Sequence, residues 1–93
     1  HITMASRRDL KRDISYVMGD ICTECLIYKE LVPGTNQKEA EKLIVDLLRI
    51  DNEFITRISH TEPGKAKEYY RALIKDFQKQ ISEVLDKLTK LKK

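Results

Sequence analysis

The sequence predicts an all-α protein that folds as an antiparallel, up-down-up three-helix bundle. Charged residues make up 35% of the 93 residues, whereas glycine and proline together number only five. Many helix formers and few turn residues are typical of a helical chain, not of a β-sandwich or a disordered one. Three segments also repeat apolar residues at intervals of three and four, and the breaks at residues 33–35 and 61–64 separate them.

The first helix is predicted over residues 6–32. Residues 1–5 are interpreted as an expression scar, because His-Ile-Thr precedes the first methionine and shows no helical period. Ser6 and Asp9 have the spacing of a helix-capping pair. The apolar stripe of this helix comprises Leu10, Ile14, Met18, Ile21, Cys25, Tyr28 and Val32.

The second helix is predicted over residues 36–59, and Asn36 and Glu39 have the spacing of a capping box. Its apolar residues cover a wider arc than contact with one neighbour requires, so we expect it to contact partners on two sides. Asp51 falls inside this arc, so its carboxylate must either find a hydrogen-bond partner or border an opening.

The third helix is predicted over residues 64–91, since Pro63 suits the start of a helix. Short connections make helices antiparallel to their neighbours in sequence, which gives a single helical-bundle domain over residues 6–93. No apolar run is long enough to span a bilayer and no signal peptide is evident, so we expect a soluble, cytoplasmic protein.

In this topology, the N-termini of the first and third helices meet the C-terminus of the second. Cations that gather there could bind an anion such as phosphate, aided by the two helix dipoles. The candidate anion-binding residues are Arg8, Arg12, Arg57, His60, Lys67 and Arg71. The alternative is that acids at the same end, such as Asp9 and Glu62, form solvated ion pairs with them.

The second loop and the residues around it could also form a small polar pocket that binds a ligand. Its candidate lining residues are Tyr16, Glu62, Tyr69 and Tyr70, with His60 beside them. The alternative is structural: the loop residues end one helix and begin the next, and the tyrosine rings pack on the core.

Two further patterns resemble sites for metals or redox chemistry. Cys22 and Cys25 form a C-x-x-C string, but they lie in mid-helix, where we expect core packing and not a reactive thiol. Three carboxylates, Asp20, Glu24 and Asp51, could converge on a magnesium or calcium ion, or pair with Arg49, Lys29 or the backbone instead. We expect no metal site, no cofactor and no catalytic residue.

The sequence therefore favours a non-enzymatic binding or protein-interaction module, in which helix 2 mediates a homodimer or binds a protein partner. An exposed patch of Leu26, Ile27, Leu48 and Ile55 would be unusual on a monomer. The alternative function is a small anion-binding protein that uses the basic end. A net charge of +3 without a nucleic-acid-binding motif does not favour nucleic acid, and we expect no membrane partner.

The second loop reads Ser59-His60-Thr61-Glu62-Pro63-Gly64 and precedes the pair Tyr69-Tyr70. With Leu10-Lys11-Arg12, Ile14, Tyr16 and Glu24-Cys25, these residues resemble an uncharacterised family of short all-helical proteins from Bacteroides-type gut bacteria. In that family the loop has the form Ser-His-Pro-Glu-Pro-Gly, so Thr61 replaces its first proline. The resemblance implies a helical fold and a cytoplasmic location and implies no activity.

Overall fold

The computed structural model describes residues 7–60, 64 and 66–91, and it contains three helices. They are α1 (Arg7–Leu31), α2 (Gln37–Ser59) and α3 (Ala66–Thr89). α1 packs on α2 and α2 packs on α3, which confirms the all-α three-helix bundle. Each helix end lies within two residues of its predicted position. The caps expected at Ser6 and in the second loop fall outside the described residues.

The core is formed by one apolar stripe from each helix. Phe54, Leu47 and Ile58 of α2 and Leu73 of α3 are almost completely buried. The rings of Phe54 and Phe77 meet edge to face, with centroids 5.2 Å apart. Burying a side chain of this size stabilises a fold by about 1.5–3 kcal/mol, so this stripe accounts for much of the cohesion between α2 and α3.

The connection between α1 and α2 is a short, hydrogen-bonded turn. The side-chain oxygen of Asn36 accepts a hydrogen bond from the Glu39 amide at 3.1 Å, which confirms the predicted cap of α2. Gly34 has a φ of 86°, a conformation that glycine adopts without a steric penalty. Lys29 of α1 then meets Glu41 of α2 at 3.6 Å. A partly exposed ion pair adds little stability, but this one indicates the approximate register of the two antiparallel helices.

α2 is the central helix, as its wide apolar arc predicts. Its backbone approaches that of α1 most closely, and the small residues Ala40 and Cys25 are fully buried in the core. On the other side, Arg57 of α2 bonds Asp76 of α3. The Asn36 amide also donates to the Leu91 carbonyl at 3.1 Å, so the end of α3 is tied to the start of α2. Among the described residues, no helix has an apolar stretch that could cross a membrane.

Candidate functional site

Arg57 lies at the contact between α2 and α3 and makes more side-chain contacts than the other cations predicted to bind an anion. Its Nη1 donates to Asp76 Oδ2 at 2.6 Å and to Glu53 Oε2 at 3.4 Å. Its guanidinium carbon lies 4.7 Å from the centroid of the Phe54 ring, in cation–π geometry. Its backbone carbonyl accepts a hydrogen bond from the Tyr69 hydroxyl at 3.0 Å. Arg57 therefore joins α2 to α3 through both its side chain and its backbone.

The ion pair changes the titration of both partners. The hydrogen bond from Arg57 lowers the pKa of Asp76 below its ordinary value. The same bond raises the pKa of Arg57. Both groups are thus charged at neutral pH, and the carboxylate already occupies the position that an external anion would take on this guanidinium.

The other predicted anion-binding cations are exposed, with Arg8 and Arg12 on one face of α1 and Lys67 and Arg71 on one face of α3. Arg12 is exposed on α1 and pairs with Asp9 at 3.3 Å and Asp13 at 3.9 Å. These contacts are solvated ion pairs, which were the alternative to anion binding in the prediction from the sequence. Arg8 is exposed on α1, and Lys67 and Arg71 are exposed on α3. Arg12 lies on the outward side of α1, about 160° from the centre of its core stripe, whereas Arg57 faces α3.

The predicted pocket residues are divided between core and surface. Tyr70 is buried and Tyr69 is half-buried, and their ring centroids are 6.2 Å apart, as expected for rings packed on the core. The His60 ring is exposed, and its Nδ1 lies 2.8 Å from the Thr56 carbonyl. Tyr16 is 67% exposed on α1, so it does not line an enclosed pocket. Glu62 lies outside the described residues.

The two cysteines have different environments. Cys25 is fully buried in the core, and burial is the main cause of its raised thiol pKa, with smaller contributions from Cys22 and Glu24. Cys22 is half-buried at the edge of the core. Both thiols are free. A raised pKa disfavours the reactive thiolate, which supports the packing interpretation of Cys25.

The carboxylates Asp20, Glu24 and Asp51 do not converge. Asp20 and Glu24 are exposed on α1, and none of the described residues form a group of three or more ligands suited to a metal. The ion pairs expected for these acids are also absent from the described residues. Arg49 instead pairs with Asp46, one turn away at 3.6 Å, and Lys29 pairs with Glu30 and Glu41.

A strip of apolar side chains lies on the side of α2 that faces away from α3. Nine residues separate Leu48 from Arg57, which is about 180° around a helix, so Leu48 points away from α3. Leu48 and Val45 are each 62% exposed, and Leu26 of α1 is 46% exposed. The Lys29–Glu41 register places Leu26 level with residues 44 and 45. We call this surface the outer strip; it consists of Leu26, Ile44, Val45, Leu48, Asp51 and Ile55.

The outer strip was only partly predicted. Leu26, Leu48 and Ile55 belong to it, although Ile55 is half-buried. Ile27 is exposed but follows Leu26 by one residue, so it points about 100° away from it. Residues 44, 48, 51 and 55 are separated by intervals of four, three and four residues, which is a second helical repeat beside the core stripe. This series was the sequence signal for the strip.

Asp51 is the acidic member of the outer strip and is half-buried there. Its Oδ1 atom is buried and has no hydrogen-bond partner among the described residues. The register of the hairpin places Gly19 of α1 level with it. Gly19 is exposed, and a Cβ built there would meet no atom within 4 Å, as expected for a residue that faces solvent. The sequence predicted that Asp51 would need a partner or border an opening, but its Oδ1 has neither a partner nor solvent access among the described residues.

A shallow cleft of about 270 Å³ lies at the opposite end of the α2–α3 pair from Arg57. Leu43 and Leu91 provide its apolar lining, and the charged residues around it are Glu39, Lys42, Asp46, Lys87 and Lys90. Lys42 pairs with Glu39 at 3.2 Å and Lys90 with Asp86 at 3.1 Å. This cleft could not be predicted from the sequence, because it depends on how the start of α2 meets the end of α3.

Comparison of the chain with protein-family models, curated proteins and solved structures found no match. The resemblance to a Bacteroides-type family therefore stays a prediction from the second-loop motif.

Proposed function

We propose that this protein is a non-enzymatic protein-interaction module that binds through the outer strip. The observation that supports this proposal is the exposure of Leu26, Val45 and Leu48 on the side of the α1–α2 hairpin that α3 leaves uncovered. Exposed leucines and valines grouped on one face are typical of a surface that binds another protein. The helical arrangement suits an amphipathic helix as the bound element.

Other polar groups of the candidate site have structural partners, which favours binding over catalysis. The Tyr69 hydroxyl is bonded to a backbone carbonyl, the His60 ring to another, and Arg57 to two carboxylates. A cytoplasmic location and a homodimer formed through α2 remain parts of this proposal. In the homodimer, the strip of one copy would cover the strip of another.

A peptide titration followed by NMR tests the binding surface. The probe is a synthetic amphipathic helix with a leucine face, added to the ¹⁵N-labelled protein. We expect the amide resonances of residues 44–55 and of residues around Leu26 to shift. Leu48→Glu should abolish the shifts, whereas Leu85→Glu should not, because Leu85 is an exposed leucine on α3. Shifts confined to other surfaces, or equal loss in both variants, would contradict the proposal.

Sedimentation velocity tests the homodimer separately. Association that increases with concentration and disappears in Leu48→Glu is expected if the strip pairs with itself. A protein that remains monomeric at millimolar concentration would exclude the homodimer and leave the peptide result unaffected.

The anion-binding alternative has weaker support, because Arg57 and Arg12 are already paired with carboxylates. It still makes a clear prediction: phosphate should raise the melting temperature, and His60→Ala or Lys67→Ala should remove that rise. An unchanged melting temperature at millimolar phosphate would contradict it.

A further inference from the structure

We propose that two copies of this protein pair through the outer strip about a two-fold axis at Leu48. In this dimer, α1 of one copy runs antiparallel to α1 of the other, and Arg12 of each copy binds Glu30 of its mate. The inference rests on the proposed function, because it specifies the homodimer included there. Three features of the α1–α2 hairpin support it: two opposite charges on α1, the apolar centre between them and a glycine beside that centre.

The first feature is the placement of two opposite charges on one side of α1. Arg12 and Glu30 are 18 residues apart, which is five full helical turns, and Leu26 lies one turn before Glu30. Both charged side chains are more than half exposed, so their contacts with Asp9 and Lys29 leave them accessible to a second partner. A two-fold axis across the middle of α1 brings the arginine of each copy to the glutamate of the other, so the contact forms twice in every dimer.

The second feature is the position of the apolar residues relative to these charges. The point halfway between Arg12 and Glu30 is residue 21, and the approximate register of the hairpin places Leu48 level with residue 22. The axis that matches the charges therefore also places Leu48 of one copy on Leu48 of the other. Val45 and Leu26 lie within about one turn of this axis. Burial of these exposed apolar side chains stabilises the dimer, and the ion pairs set its orientation.

The third feature is Gly19, which lies in the interior of α1. Glycine destabilises a helix interior relative to alanine. Gly19 is exposed, its φ is not positive and a Cβ built there would meet no atom within 4 Å, so the described part of the chain does not require glycine here. It is seven residues from both Arg12 and Leu26, so it shares their side of α1. It also lies beside the proposed axis, where a missing side chain lets the two α1 helices approach closely.

The charges also distinguish between the two orientations in which the strip can face a second strip. In the parallel orientation, α1 of one copy would lie over α2 of the other with the same ends together. Glu30 would then meet Glu41, since both lie at the hairpin end beside Lys29, and like charges disfavour an interface. The antiparallel orientation places Glu30 against Arg12 instead. It also keeps the two Asp51 carboxylates on opposite sides of the axis.

Charge reversal tests the ion pairs, with association measured by sedimentation velocity. Arg12→Glu alone and Glu30→Arg alone should each weaken self-association about tenfold, because each creates two repulsive contacts in the dimer. The two variants mixed together should associate as tightly as the wild-type protein, since attraction returns at both contacts. Arg71→Glu is the matched control at an exposed arginine of α3 and should leave the dissociation constant unchanged.

A variant at Gly19 tests the close approach of the two α1 helices independently. Gly19→Gln should leave the melting temperature of the dilute monomer unchanged or higher, because glutamine is the better helix former and meets no neighbour there. The same variant should weaken self-association at least about tenfold. Ala72→Gln is the control at an exposed position on α3 and should not alter association. Gly19→Gln that dimerises like the wild-type protein would contradict the close approach.

The outcomes separate this inference from the wider interaction module. A wild-type protein that stays monomeric at millimolar concentration would overturn the inference, and binding of the leucine-faced peptide would still support the module. Self-association that Leu48→Glu abolishes but neither charge reversal changes would overturn the antiparallel arrangement and retain the strip as the interface. A monomer that also binds no peptide would overturn both proposals.

Discussion

The guanidinium of Arg57 donates to the carboxylate of Asp76 across 2.6 Å, and this contact joins α2 to α3. A ligand-binding role was predicted for Arg57, but the partner of its guanidinium is a residue of the same chain. Because Arg57 also packs on the Phe54 ring, one side chain connects the polar surface between the helices to their apolar core.

Loss of this ion pair should destabilise the bundle measurably. Arg57→Met keeps much of the apolar stem but leaves the Asp76 carboxylate without its main donor, so we expect a loss of about 1–2 kcal/mol in the free energy of unfolding. Urea denaturation measures this change. Arg49→Met is the control, because its pair with Asp46 is exposed and longer, and it should change stability by less than about 0.5 kcal/mol. Equal effects of the two variants would contradict this role.

The same pair predicts how stability depends on acid pH. Asp76 has a pKa below its ordinary value of 3.8 in the folded state, so the folded protein binds this proton less tightly than the unfolded chain. The pair therefore stabilises the fold above pH 3.8, and this contribution is lost as the pH falls from there through the lower, folded-state pKa. Asp76→Asn should be less stable at neutral pH and show a flatter decline in acid. An unchanged acid profile in that variant would contradict the prediction.

Asp51 should lower the free energy of unfolding, so replacing it should stabilise the fold. Asp51→Leu removes the unsatisfied carboxylate and adds apolar contact, so we expect an increase of about 1 kcal/mol in unfolding free energy. Differential scanning calorimetry would detect it as a higher melting temperature. Asn52→Leu places the same side chain at the next, exposed position and should have a smaller effect. A lower melting temperature for Asp51→Leu would show that the carboxylate is satisfied in solution.

The two cysteines should differ in reactivity. Cys25 has a raised thiol pKa and no exposed surface, so iodoacetamide should modify it only as fast as the bundle opens. Cys22 is half-buried and should react faster under native conditions. Mass spectrometry of the single variants Cys22→Ser and Cys25→Ser would separate the two rates. Equal alkylation rates for the two thiols in the native protein, both matching the rate in urea, would contradict this difference.

The helices could be predicted closely because each signal was local. Asn36 and Glu39 mark the start of α2 through a bond between neighbours in sequence, and the core stripe follows from the helical period. The wide arc of α2 correctly indicated contacts on two sides. These features depend on residues within a few turns of one another, so they are readable before the tertiary structure is known.

The candidate site was less predictable because its contacts join distant parts of the chain. Arg57 and Asp76 are 19 residues apart, and no local pattern specifies that they meet. The anion-binding hypothesis was based on the end of the bundle at which each cation lies. It did not take into account the side of the helix on which the cation lies. Arg12 and Arg57 share an end, yet one points outward from α1 and the other faces α3.

The opposite placement of Arg57 and Leu48 on α2 has a consequence for how this protein can diverge. Leu48 is 62% exposed, so substitutions there remove little buried contact, whereas those at Arg57 act on the contact between α2 and α3. Selection can therefore alter one side of a single helix while the other is retained. New recognition properties could arise in descendants of this chain without loss of the fold.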